Sequence, residues 1–104
     1  MMTEQYGLPA SAIHNICAIF QQYPQIEKVM LYGSRAKGSY RVGSDIDLSI
    51  QGDVDVDTLL KIENEIDDLL LPWSVDLSIL HKIDNMDLVE HIRRCGVVFY
   101  DGNG

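Results

Sequence analysis

LYGSRAKGSYRVGSDIDLSI, residues Leu31 to Ile50, runs a glycine-rich turn directly into an acidic strand, and the fold is read from it. Asp45, Asp47 and Ser49 alternate with Ile46, Leu48 and Ile50, the period-two pattern of a strand with one polar and one apolar face. Residues two apart on a strand lie roughly 6.5 Å apart at Cα, with side chains on the same side. Two carboxylates held that way repel each other unless a cation lies between them. Mg²⁺, which prefers carboxylate and phosphate oxygens, meets that need. Upstream, Gly33-Ser34 follows the apolar run Val29-Met30-Leu31-Tyr32 and opens the helix-like segment Ser34-Arg35-Ala36-Lys37. A strand that turns into a helix at Gly-Ser offers phosphate oxygens free backbone N–H groups, a hydroxyl and the positive end of a helix dipole. A phosphate turn beside a metal-binding Asp pair outlines a nucleoside triphosphate site. Gly33 and Gly38 share the G-x-x-x-x-G spacing of a P-loop, but Ser39-Tyr40 stands where Lys-Ser/Thr is required, so that reading fails.

Working outward, Pro9 to about Tyr23 reads as a helix with Ile13, Ile16, Cys17 and Phe20 on one stripe, ended by Pro24. Residues 1–8 form a lead-in, and Ile26 to Tyr32 is the first strand, delivering the chain to Gly33. After the acidic strand, Gln51-Gly52 breaks the pattern. Asp53, Asp55 and Asp57 then suit the start of a helix, where aspartates accept backbone N–H bonds, better than they suit a second metal site. Leu59, Ile62, Ile66 and Leu69 give that helix its buried stripe, Pro72 ends it, and Trp73 reads as a lid on the core. Val75, Leu77 and Ile79 alternate with Asp76 and Ser78 in a third strand. If it neighbours the second strand, Asp76 converges with Asp45 and Asp47; otherwise Asp76 is simply exposed on an edge strand. Residues 84–95 read as a last helix with Leu88 and Ile92 inward, Arg93-Arg94 near its end and Gly96 as a C′ residue. Val97 to Tyr100 is a short fourth strand, followed by a tail. His14, His81 and His91 have no catalytic spacing. The fold class is α+β, a small mixed β-sheet with helices packed on it, in a single domain spanning residues 1–104.

The 104 residues suffice for one core and not two. A net charge of −8, from eight basic against sixteen acidic residues, does not provide the cationic face that nucleic-acid backbones require. Direct nucleic-acid binding is therefore not expected. Surface acidity suits either a basic protein partner or solubility alone. No apolar run reaches membrane-spanning length, and the N-terminus has no basic cluster of a signal peptide. Cys17 and Cys95 match no zinc or redox spacing and read as reduced core cysteines of a cytoplasmic protein.

Gly33-Ser34, ten residues, then Asp45-x-Asp47 resembles the G-S-x₁₀-D-x-D signature of the nucleotidyltransferase superfamily related to DNA polymerase β. GSRAKG followed by GSDIDL, in so short a chain, is similar to the minimal nucleotidyltransferase (MNT) group, whose members act as antitoxins beside HEPN-domain ribonuclease toxins. Lys37 stands where Arg is common in the family, which keeps the charge but loses the bidentate guanidinium. The resemblance implies a polymerase β-like minimal core in which Asp45, Asp47 and Asp76 are the catalytic carboxylates and hold Mg²⁺, two ions in the family's manner. It also implies that Gly33, Ser34, Lys37 and Ser44 bind the nucleotide, with Arg35 a further source of positive charge. The implied reaction transfers AMP from ATP to a tyrosine of a cognate HEPN toxin, in a hetero-oligomer with it. Two alternatives stay open: a binding-only antitoxin, and a transferase acting on a small molecule such as an aminoglycoside, which the lack of a second domain disfavours.

Overall fold

The computed structural model describes residues 5–102. Four strands, β1 (Ile26–Tyr32), β2 (Ile46–Gly52), β3 (Val75–Ile79) and β4 (Val97–Asp101), form one sheet in the order β3-β2-β1-β4. β1 pairs antiparallel with both β2 and β4, while β2 and β3 are parallel. Parallel neighbours need a crossover connection, and α3 (Val56–Asp67) provides it. The other helices are α1 (Ala10–Phe20), the single turn α2 (Ser34–Lys37) and α4 (Met86–Cys95), with a 3₁₀ turn at Leu80–Lys82 that the sequence pattern does not announce. The α+β class and the mixed sheet are as read from the sequence.

The core lies on one face of the sheet. Val29 and Leu31, Leu48 and Ile50, and Leu77 and Ile79 project from the strands onto Ile16, Ile19 and Phe20 of α1 and Ile62 and Ile66 of α3. α4 lies over the opposite face, where its Val89 and Ile92 share a groove of about 520 Å³ with Met30 and Val98. Val89 and Ile92 are its buried residues, whereas Leu88, expected inward, is half-buried.

The helix caps follow ordinary chemistry. Asp55 accepts the Thr58 N–H at 2.8 Å at the start of α3, as the helix-capping reading of the aspartate run requires. Asn85 accepts the Asp87 and Leu88 N–H groups at the start of α4. α1 ends at Phe20, ahead of Pro24, and closes through a turn in which the Tyr23 N–H reaches the Phe20 carbonyl.

Other boundaries differ from the sequence reading for identifiable reasons. β2 begins at Ile46, so Asp45 stands just outside the strand. Asp101, read as tail, belongs to β4 and pairs with Lys28; the rest of that tail beyond Gly102 lies outside the described residues. Of the lead-in, residues 1–4 lie outside them too, while Gln5 and Leu8 bridge and Leu8 is fully buried. Gly96 does not adopt the left-handed C′ conformation (φ −71°, ψ 154°); a Cβ there would instead collide with the Ile92 carbonyl. Both cysteines are free, but only Cys17 is part-buried and Cys95 is exposed, so the second is not a core cysteine. Among the described residues no helix is long and apolar enough to cross a membrane.

Ile50 is fully buried on β2, which has a strand on either side. Ile50→Ala should lower unfolding free energy by about 2–5 kcal/mol, through lost transfer energy and a residual cavity. Val42→Ala, at a fully exposed position, should change it by less than about 0.5 kcal/mol. Urea denaturation of the two variants checks both values.

Candidate active site

The register of β2 against its two neighbours assembles the site. Asp47 pairs with Tyr32 across β1 and with Asp76 across β3. Directly paired residues on adjacent strands project from the same face, so the two carboxylates and the phenol stand together. Leu48 and Leu77, one step along, are buried on the other face, which fixes that assignment. Asp45 is exposed in the irregular segment before β2 and still acts on Asp47 through its charge.

The electrostatics are those of crowded like charges. Burial, then Asp76, then Asp45 hold the Asp47 carboxyl above the usual carboxylate range. The Tyr32 phenol is pushed up by burial and by Asp76 and Asp47, against a downward pull from a hydrogen bond with Ser78. The Ser78 hydroxyl also donates to the hydroxyl of the fully buried Ser49 at 3.1 Å. Tyr32 and Ser78 are absent from the set of site residues read from the sequence. Their signal is present in it: each lies in phase with an aspartate on its own or the paired strand.

The glycine turn meets the acidic pair. Gly33 has φ +79°, a region that favours glycine, and a Cβ on it would run into Oδ2 of Asp47. Hydrogen at that position is what lets the β1–α2 turn close onto the carboxylate. Ser34, half-buried, is the first residue of α2, and its carbonyl accepts the Ser39 N–H at 3.0 Å. Lys37 is exposed at the end of α2. Ser44 is half-buried, and its hydroxyl accepts the Arg41 N–H at 2.8 Å.

Arg35 departs from its expected role. It is only 3% exposed. Its Nε and Nη2 donate to the Ser44 carbonyl at 3.1 and 2.7 Å, and its Nη1 donates to the Tyr6 carbonyl at 2.8 Å. Its guanidinium is committed to the protein's own backbone and is not a free charge for phosphate. Trp73, read as a core lid, packs against the core and also against this guanidinium, 5.8 Å from the ring centroid.

Among the described residues no three His, Cys, Asp or Glu side chains are grouped so that they could hold a metal ion by themselves. The expected convergence of three carboxylates is thus reduced to a directly opposed pair, Asp47 and Asp76, with Asp45 flanking it. That donor set still fits Mg²⁺, which binds through one or two carboxylates and completes its shell with water and substrate phosphates.

Residues 14–103 match the polymerase beta nucleotidyltransferase family. The chain belongs to that family. A Methanocaldococcus jannaschii protein named as a protein adenylyltransferase is 39% identical over 62 residues. That match covers 60% of this chain and 59% of the relative, so the similarity spans less than two thirds of that protein. A toxin–antitoxin crystal structure with AMP-PNP superposes with a TM-score of 0.71 at 20% identity, covering 86% of this chain and 73% of that one. A mutant of the toxin–antitoxin MntA-HpeT gives 0.68 at 17% identity, over 86% of this chain and 72% of that one. A nucleotidyltransferase from Sulfolobus solfataricus gives 0.54 at 18% identity, over 88% and 78%. At these identities the likeness to the solved structures is one of fold.

Because the Asp47 pKa is raised on folding, the native state binds the proton more tightly than the unfolded chain, and stability falls as pH rises from the usual carboxylate value through the native one. In metal-free buffer Asp47→Asn should therefore raise Tm at pH 7, by about 2 °C for a half-buried group still screened by solvent, and leave it nearly unchanged at pH 3. Calorimetry at the two pH values reads the difference; a Tm lowered at pH 7 would contradict the upward shift that burial and the neighbouring carboxylates impose.

Proposed function

We propose that this chain is a protein adenylyltransferase of the antitoxin kind, which transfers AMP from ATP to a tyrosine of a cognate HEPN-domain toxin in the cytoplasm. The carrying observation is the Asp47–Asp76 opposition against the Gly33 turn. A structural role does not account for two carboxylates placed face to face, since like charges directly opposite destabilise a sheet. Family membership supports transfer of a nucleotidyl group, and a relative named as a protein adenylyltransferase supports a protein acceptor. The toxin–antitoxin neighbours support a toxin as that acceptor.

In this reading Asp47 and Asp76, with Asp45 flanking them, would hold Mg²⁺, two ions in the family's manner, completed by water and the triphosphate, whose charge the metal would neutralise. The Gly33 and Ser34 backbone and the Lys37 ammonium bind the outer phosphates, and Ser44 orders the loop beside them. Asp76 lies on the edge strand and is exposed, so it is the carboxylate that an incoming acceptor meets. It is placed to take the proton of the acceptor hydroxyl. The tyrosine oxygen attacks the α-phosphorus, the new P–O bond replaces the bond to the β-phosphate bridge, and pyrophosphate departs. The acidic surface of the chain, −8 overall, suits a basic partner protein.

A binding-only antitoxin predicts different products. Co-expression with the toxin, followed by separation and mass spectrometry, should show the toxin heavier by one or more AMP units and inactive after this chain is removed. Asp45→Asn with Asp47→Asn should abolish the mass gain. Asp76→Asn should lower turnover by about 10²-fold or more, with a smaller effect on nucleotide affinity. An unmodified toxin that regains full activity on separation would refute transfer.

A further inference from the structure

We propose that Arg35 is the positioning residue that locks the phosphate turn, the Asp45 arm and the Asp76 arm into one geometry. The proposal concerns the site assigned above and builds on that reading. Arg35 follows Gly33-Ser34 immediately, in α2. Its fork grips the carbonyl of Ser44, the residue just before Asp45, through two N–H groups. The third bond ties the same guanidinium to the Tyr6 carbonyl in the N-terminal turn. The plane also lies near two rings, 5.4 Å from the Tyr40 centroid and 5.8 Å from that of Trp73. Trp73 leads into Ser74, whose carbonyl accepts the Ile46 N–H at 2.9 Å, and two residues later the chain reaches Asp76. One side chain thus links the phosphate turn, the loop that ends at Asp45 and the residue that leads into the Asp76 strand.

Simple stability does not demand this arrangement. Among the described residues no carboxylate pairs with the guanidinium, which is buried against carbonyl dipoles and rings alone. Burying a cation without a counter-ion carries a desolvation cost, so its presence here is explained by the geometry it imposes. Only a planar fork can bind Ser44 through two N–H groups, reach Tyr6 with a third and stack on flanking rings. A lysine, a compact point charge on a flexible stem, cannot.

The test compares Arg35→Lys with Asn85→Ala, a cap loss on α4 that contributes nothing to the site. Hydrogen exchange is followed at the Ser44 and Ile46 amides in metal-free protein, and AMP-PNP with Mn²⁺ is titrated by calorimetry. In Arg35→Lys, exchange at both amides should quicken about tenfold or more while the mid-α3 amides hold, and AMP-PNP affinity should fall about tenfold. Asn85→Ala should lower Tm without either effect. Exchange at Ser44 and Ile46 that matches the Asn85→Ala protein would overturn the positioning role. If the wild type itself does not bind AMP-PNP, the transferase reading fails, and the exchange result still decides the role of Arg35. Should Arg35→Lys not fold, Trp73→Leu removes one ring and leaves the guanidinium bonds. It should quicken exchange at Ser44, and no change there would again refute the coupling.

Discussion

Like charges stand face to face across β2 and β3, and the rest of the molecule is arranged so that they cannot move apart. The two strands pair in parallel without a register shift, from Ile46 opposite Val75 to Ile50 opposite Ile79. A one-residue slip of β3 against β2 would carry Leu77 and Ile79 out of the core and Asp76 into it. Apolar burial therefore enforces electrostatic crowding. The core residues hold the carboxylates together against their repulsion, and burial first, then Asp76 and Asp45, raise the Asp47 pKa.

The cations around this acidic pair divide into two kinds. Arg35 is buried and spends its donors on backbone carbonyls, so it shapes the loop that ends at Asp45. Lys37 is exposed on the same short helix. It stands at the second position, where the family commonly has Arg. The fork is kept at the first, where planar geometry is needed. Gly33 completes the arrangement by bringing the turn against Asp47, in a positive-φ conformation that favours glycine and where a Cβ would crowd the carboxylate.

Much of this was legible in the residues. Period-two alternation identified β2 and β3 and placed their aspartates on the polar face, because the pleat permits no other assignment once one face is apolar. The cap at Asp55 was legible because its chemistry is local, confined to the first turn of α3. What was not legible depends on contacts distant in sequence. That β2 and β3 are neighbours was only a condition until the sheet order was known. The burial of Arg35 rests on Tyr6 and Trp73, far away along the chain, and no local pattern distinguishes it from a phosphate-binding arginine. Gly96 looked like a left-handed cap but is required by close approach to the Ile92 carbonyl instead. Asp45 falls outside β2 because pairing begins at Ile46, a boundary that alternation cannot locate.

The central claim is that the opposed carboxylates form a site for a divalent ion bridged to a triphosphate. Thermal unfolding with and without Mg²⁺ and AMP-PNP addresses it without requiring any acceptor. A ligand at about a hundred times its Kd stabilises by roughly 2.7 kcal/mol, which for a domain of this size raises Tm by about 10 °C or more. The account predicts that rise in the wild type only when metal and nucleotide are both present, and its loss in Asp47→Asn. An equal rise in both proteins, or none in the wild type, would contradict it.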